Sequence, residues 1–133
     1  MLQKGYKALL SEANAVVVSI PFAEAVQLHA DNSAMFVDIR DPRELEREGR
    51  IPNAFSAPRG MLEFRVDPES PYYKDVFNTQ KRIVLYCASA WRSALAAKTL
   101  QDMGMTNVAH LDGGFSAWKA NGGPVAQKQP RNK

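Results

Sequence analysis

With 133 residues, the chain has the length of one ordinary domain, and its 45% apolar content with 23% charged residues excludes a disordered chain. Four basic residues follow Asp112 without any acidic residue among them, so the basic character of the net charge of +3 belongs to the carboxyl end. Basic and aromatic residues do not alternate there. A solvated tail is therefore the better explanation, and no nucleic-acid partner is expected.

Cysteine and histidine content restricts the chemistry. A single cysteine excludes an internal disulfide, and His29 and His110 offer no metal-ligand spacing, so neither histidine receives a role and no metal or other cofactor is expected. No apolar run reaches the roughly 18 residues of a membrane span, and the first twenty residues lack a signal-peptide cleavage pattern. The expectation is a cytoplasmic protein without a membrane partner.

Strands and helices are predicted to alternate along the chain. An amphipathic helix is expected over residues 1–14, a folded domain over 15–125 and a basic tail over 126–133. Five strands are predicted, at residues 15–19, 35–39, 54–58, 84–87 and 108–111. This order predicts an α/β domain with a mostly parallel central sheet of about five strands and helices on both faces.

The segment 40–50 combines helix signals with charges of alternating sign. Asp41 is placed to cap a helix that begins at Pro42. Alternating opposite charges are typical of a solvated helix face with internal ion pairs. The residues assigned to that face are Arg43, Glu44, Glu46 and Arg47.

Cys87 ends a predicted buried strand and is followed by a short loop and an alanine-rich helix that begins at about Arg92. A thiol at this position faces the amino end of the helix, where unpaired N–H groups and the helix dipole favour the nucleophilic thiolate. A lone cysteine is more often a buried apolar residue, so this interpretation requires the sulfur to be open to solvent. Arg92 adds a positive charge suited to an anionic substrate.

Three separated motifs resemble those of the rhodanese (sulfurtransferase) domain. Residues 87–92, Cys-Ala-Ser-Ala-Trp-Arg, are similar to that family's active-site pattern Cys-x-x-Gly-x-Arg. FVDIRD with GRIPNA, within residues 36–54, resembles the amino-terminal signature, and LDGGFSAW at 111–118 resembles the carboxyl-terminal one. The motifs occur in the expected order, and the resemblance covers roughly residues 15–125.

The resemblance implies a rhodanese-like fold and sulfur transfer through a persulfide on Cys87. Sulfur would pass from a small anionic donor such as thiosulfate to cyanide or a thiol, with partner proteins as further candidate donors or acceptors. Loop N–H groups would stabilise the sulfur anion, and arginine would hold the donor. The expected substrate-binding residues are Ala88, Ser89, Ala90, Trp91, Arg92 and, at the same sheet edge, Arg59. Asp38 and Arg40 are expected to form an ion pair that supports the loop.

Ala90 stands where the resembling family usually has glycine. If the loop needs a positive φ there, alanine costs about 1–2 kcal/mol relative to glycine, so a persulfide carrier or protein-interaction module with little turnover is the alternative. Cysteine phosphatases also place a thiolate in an amide-lined loop closed by arginine, but they have five residues between the two. Only four separate Cys87 from Arg92, and this smaller ring suits a single sulfur better than a tetrahedral phosphate.

Overall fold

A computed structural model describes residues 1–127, so 128–133 of the predicted basic tail lie outside the described residues. The described residues form five strands and six α-helices. The strands are β1 (Ser19–Ile20), β2 (Ala34–Asp38), β3 (Phe55–Ser56), β4 (Arg82–Tyr86) and β5 (Val108–Leu111). The helices are α1 (Tyr6–Val16), α2 (Phe22–Ala30), α3 (Pro42–Glu48), α4 (Leu62–Val66), α5 (Trp91–Asp102) and α6 (Gly114–Ala120).

The five strands form one sheet in which every pair is parallel, in the order β1-β5-β4-β2-β3. The register pairs Val37 of β2 with Leu85 of β4, and Leu85 with His110 of β5. Because all strands run the same way, their carboxyl ends share one edge of the sheet. The predicted parallel α/β architecture is confirmed, and that edge collects the residues that follow β2 and β4.

Apolar side chains cover both faces of the sheet. One cluster contains Trp118 of α6 and Ala25 of α2, and the other contains Leu100 of α5 and Leu62 of α4. Residues Ile83 through Tyr86 of β4 are all fully buried. A central strand that is covered on both faces requires such a continuous apolar sequence. Helices on both faces were predicted, and this prediction is confirmed.

Element boundaries differ from the prediction mainly at the amino end. The run predicted as a strand over 15–19 continues α1 to Val16, and β1 is limited to Ser19 and Ile20, the residues in register with His110 and Leu111 of β5. A β-prone run forms a strand only where a partner strand is within reach. The cap at Asp41 is confirmed: its side chain accepts the N–H of Arg43, and α3 begins at Pro42.

No helix within residues 1–127 combines the length and the apolar character needed to cross a lipid bilayer.

Candidate active site

The loop that carries Cys87 is hydrogen-bonded to the start of α6. The carbonyl of Cys87 accepts the N–H of Phe115 at 2.8 Å, and that of Ala88 accepts the N–H of Ser116 at 3.0 Å. Gly114 allows this approach, because a Cβ there would lie 2.6 Å from the carbonyl oxygen of Ala88 and its φ is +63°. The glycine of the carboxyl-terminal motif therefore sets the position of the loop.

Ala90 adopts the left-handed conformation, with φ of +75° and ψ of 0°, immediately before α5. The loop therefore uses a positive φ at the position where the family pattern has glycine. For an L-residue this conformation costs about 1–2 kcal/mol.

The sulfur of Cys87 lies under the opening turn of α5. The N–H of Ser93 donates to Sγ at 3.4 Å, from one of the helix's first N–H groups, which have no acceptor within the helix. Cys87 is only 1% exposed and belongs to the same apolar cluster as Ala57 and Leu62. The solvent access required by the sequence interpretation is therefore absent in this conformation.

Arg92 is paired with Glu44, a residue that the local charge pattern predicts on a solvated helix face. Its Nη1 and Nη2 donate to Oε1 and Oε2 of Glu44 at 2.8 and 3.0 Å. The hydrogen bond from Arg92 is the main reason that the pKa of Glu44 is lowered, and the same bond raises the pKa of Arg92. Glu44 is thus part of the site rather than of the outer surface of α3, an assignment that local charge pattern could not make.

Asp38 and Arg40 form a fully buried ion pair at the end of β2. The Nη2 of Arg40 lies 2.8 Å from Oδ2 of Asp38 and also donates to the carbonyl of Gly49 at 2.8 Å. The guanidinium stacks on the ring of Phe115, 4.5 Å from its centroid, in the first turn of α6. The pair therefore lies directly against the helix that holds the Cys87 loop.

Ser93 and His110 join the site to β5, and neither had been given a role from sequence. The hydroxyl of Ser93 is 2.9 Å from Nδ1 of His110, and Nε2 of that ring is 3.1 Å from the hydroxyl of Ser19. Burial lowers the pKa of His110, which favours its neutral form. The sequence offered one signal, a histidine within a predicted strand, but it did not indicate which residues the histidine contacts.

The other expected site residues lie at the rim. Trp91 is 57% exposed, and its ring lies 5.2 Å from that of Tyr6 in α1. Ser89 is exposed and Ala88 is half-buried beside the loop. Arg59 is exposed and lines a cavity of about 280 Å³ with Ala96, Thr99 and Leu100, among others. Within residues 1–127, the side chain of Arg59 forms no hydrogen bond with the sulfur of Cys87 and no ion pair with Glu44.

Another cavity lies away from the sulfur. Its volume is about 690 Å³, and its lining includes His29, Asn53 and Lys81, which precede or flank the amino ends of the strands. This is the edge of the sheet opposite to Cys87. No group of three or more metal-ligating side chains occurs in the described part of the chain.

A parallel α/β fold with a cysteine in the loop between β4 and α5 defines the class of protein, and comparisons with known proteins give the family. The family model of the rhodanese-like domain matches residues 22–121. The chain belongs to the rhodanese-like domain family.

The similar proteins include one sulfurtransferase and two proteins without an established function. An uncharacterised Bacillus subtilis protein, YqhL, is 35% identical over 96 residues, which are 72% of this chain and 67% of that protein. A sulfurtransferase of Allochromatium vinosum is 36% identical over 91 residues, covering 68% of this chain and 77% of that one. A Rhodopseudomonas palustris structure of unknown function, described as a possible tyrosine phosphatase, has a TM-score of 0.92 and 52% identity, over 95% of this chain and 97% of that one.

Proposed function

We propose that the chain is a sulfurtransferase that moves sulfane sulfur from an anionic donor such as thiosulfate to cyanide or a thiol through a persulfide on Cys87. The observation that carries the proposal is the position of Sγ, beneath the first turn of α5 with the N–H of Ser93 at 3.4 Å. Such N–H groups favour a sulfur anion over a neutral thiol. Sulfurtransferase relatives within the same family support this choice of chemistry.

The proposed reaction has two steps. The Cys87 thiolate attacks the outer sulfur of thiosulfate, the donor S–S bond breaks, and its electron pair leaves with sulfite. The product is a persulfide anion on Cys87, which the N–H groups of the loop and of α5 stabilise. Cyanide then attacks the outer sulfur, leaves as thiocyanate and returns the thiolate, so neither an external oxidant nor a reductant is needed.

The roles proposed for the surrounding residues follow from their positions. The backbone of residues 88–92 supplies the remaining donors around the sulfur, and Arg92 faces the donor's charge. Asp38 and Arg40 support the loop through Phe115 of α6, so their role is structural. Arg59 is exposed and has no contact with the sulfur, so its proposed contact is with the donor alone.

Intact-mass measurement after thiosulfate treatment tests the proposal. The natural chain should gain the mass of one sulfur atom, Cys87→Ser should gain none, and cyanide should remove the added sulfur quickly. A persulfide that forms but is not removed would favour the carrier alternative. No gain, together with alkylation of Cys87 no faster than free cysteine at neutral pH, would reject both and leave a buried structural thiol.

A phosphatase is the second candidate, because of the description given to the Rhodopseudomonas palustris structure. The four residues between Cys87 and Arg92 argue against it, since a tetrahedral phosphate needs a wider loop. If the natural chain hydrolysed phosphotyrosine at a higher kcat/KM than it transferred sulfur, the phosphatase would be the better-supported function.

A further inference from the structure

The guanidinium of Arg92 is already occupied by a carboxylate of the same chain. Two N–H groups donate to the two oxygens of Glu44 at 2.8 and 3.0 Å, the paired geometry in which arginine and carboxylate interact most strongly. The side chains are 37% and 18% exposed, so the pair lies at the rim, where water screens it in part. An anionic donor that approaches Cys87 therefore meets an arginine whose charge is largely balanced.

Glu44 is held beside Arg92 by its own helix. Its Oε1 accepts the N–H of Asp41 at 3.1 Å, and the side chain of Asp41 in turn accepts the N–H of Arg43 at 2.9 Å. This reciprocal cap orients the carboxylate independently of the arginine. The position of the Glu44 carboxylate therefore does not depend on Arg92 alone.

The charge of Arg92 is also affected by the nucleophile. Its pKa is raised first by the hydrogen bond to Glu44 and to a smaller extent by the sulfur of Cys87. A guanidinium has five N–H donors, of which Glu44 uses two, so hydrogen-bonding capacity remains. What Glu44 removes from the site is net positive charge.

We propose that Glu44 is a specificity-determining residue that weakens the binding of dianionic sulfur donors by balancing the charge of Arg92. The inference rests on the sulfur-transfer function proposed above and names a residue that selects among its donors. A dianion such as thiosulfate must displace Glu44 or bind beside an additional negative charge, and either alternative costs free energy. A hydropersulfide with an uncharged alkyl group, R–S–SH, carries at most one negative charge and needs no free cation.

Both donor types lead to the same intermediate. With a hydropersulfide, the Cys87 thiolate attacks the outer sulfur, the donor S–S bond breaks, and its electron pair leaves on the thiolate R–S⁻. The outer sulfur and its hydrogen become the persulfide group on Cys87. Atoms and charge balance without a further reactant, so the two donors differ chiefly in the charge that the site must accommodate.

Glu44→Gln tests the proposal, because glutamine retains an oxygen for the N–H of Asp41 while it removes the negative charge and one of the two acceptors of Arg92. The KM for thiosulfate should fall on the order of tenfold, which corresponds to about 1.4 kcal/mol. The kcat, and the KM for an alkyl hydropersulfide, should change by less than about twofold. A KM for thiosulfate that is unchanged or raised would overturn the proposal, since Glu44 would then only orient the arginine.

Glu46→Gln is the matched control. It removes the same charge from an exposed position of α3, and residues two apart on a helix do not face the same neighbour. Its KM values for both donors should equal those of the natural chain. A fall in the thiosulfate KM as large as that of Glu44→Gln would show a general charge effect and overturn the specific role.

A binding measurement requires no turnover. Calorimetry should show tighter binding of thiosulfate to Cys87→Ser carrying Glu44→Gln than to Cys87→Ser alone, by the same order of tenfold. Equal affinity would reject the role of Glu44. Tighter binding without any persulfide on the natural chain would instead reject the sulfur-transfer function and leave the effect of Glu44 on anion binding in place.

Discussion

Two arginine–carboxylate pairs lie near the carboxyl edge of the sheet, and they differ in burial. Both side chains of the inner pair, Asp38 and Arg40, are fully buried, and the arginine is further held by a carbonyl and an aromatic ring. The rim pair, Glu44 and Arg92, keeps 37% of its arginine exposed. The inner pair is closed off from solvent, whereas the rim pair is accessible to a ligand, so the two pairs should respond differently to the loss of a charge.

Removal of charge from the inner pair should have the largest effect on stability. Asp38→Asn leaves the guanidinium of Arg40 buried without its main partner and should lower the free energy of unfolding by about 3–5 kcal/mol. Glu44→Gln in the rim pair should lower it by less than about 1 kcal/mol, because water screens those charges. Urea unfolding of the two variants measures the difference, and losses of similar size would remove the distinction between the pairs.

Relief of backbone strain at Ala90 should have an intermediate effect on the free energy of unfolding. Ala90→Gly relieves a positive φ that costs about 1–2 kcal/mol, and the added freedom of the unfolded chain offsets part of the gain, so an increase of about 0.5–1 kcal/mol in stability is expected. Ala88→Gly is the control: its φ is not positive, so the same replacement should destabilise. A loss of stability in Ala90→Gly would mean that the turn stores no strain.

The protonation of His110, which is hydrogen-bonded to Ser93, should have the smallest effect on stability, and this effect should depend on pH. Burial lowers the pKa of His110 below its usual 6.5, so the folded chain binds fewer protons there than the unfolded chain. This contribution to stability is complete above pH 6.5 and decreases as the pH falls through that value toward the lowered pKa of the folded state.

His110→Asn tests that dependence by urea unfolding at a series of pH values between 7 and 5. The variant should be less stable than the natural chain at pH 7, because the hydrogen bond to Ser93 is altered, yet it should lose less stability on acidification. Parallel losses in the two proteins would exclude a contribution from His110.

Much of the site's framework could be predicted from short segments. Asp41 and Pro42 predicted the start of α3, and the strand before Cys87 followed from an apolar run that ends at that residue. The family pattern also marked residue 90 as a position where a positive φ would cost alanine free energy, and Ala90 has such a φ. Each of these features depends on interactions among residues within a few positions of one another, which the sequence displays directly.

The partners within the site could not be predicted in this way. Glu44 was assigned to a solvated face because its neighbours alternate in charge, but it lies on the face of α3 that meets the start of α5. Burial of Cys87 depends on the apolar cluster beneath it and was likewise not predicted. The proposed sulfur transfer therefore requires a donor to reach a sulfur that is covered in this conformation.

The sequence by itself determined the order of strands and helices, the parallel sheet, the family and the place of the cysteine between a strand and a helix, because periodicity, caps and turn residues act over short distances. Only the tertiary structure decided that Arg92 meets a carboxylate 48 residues away, that Ser93 meets His110 and that the sulfur is covered. Those contacts arise where separate helices and strands pack together, and no local pattern specifies which side chains then face each other.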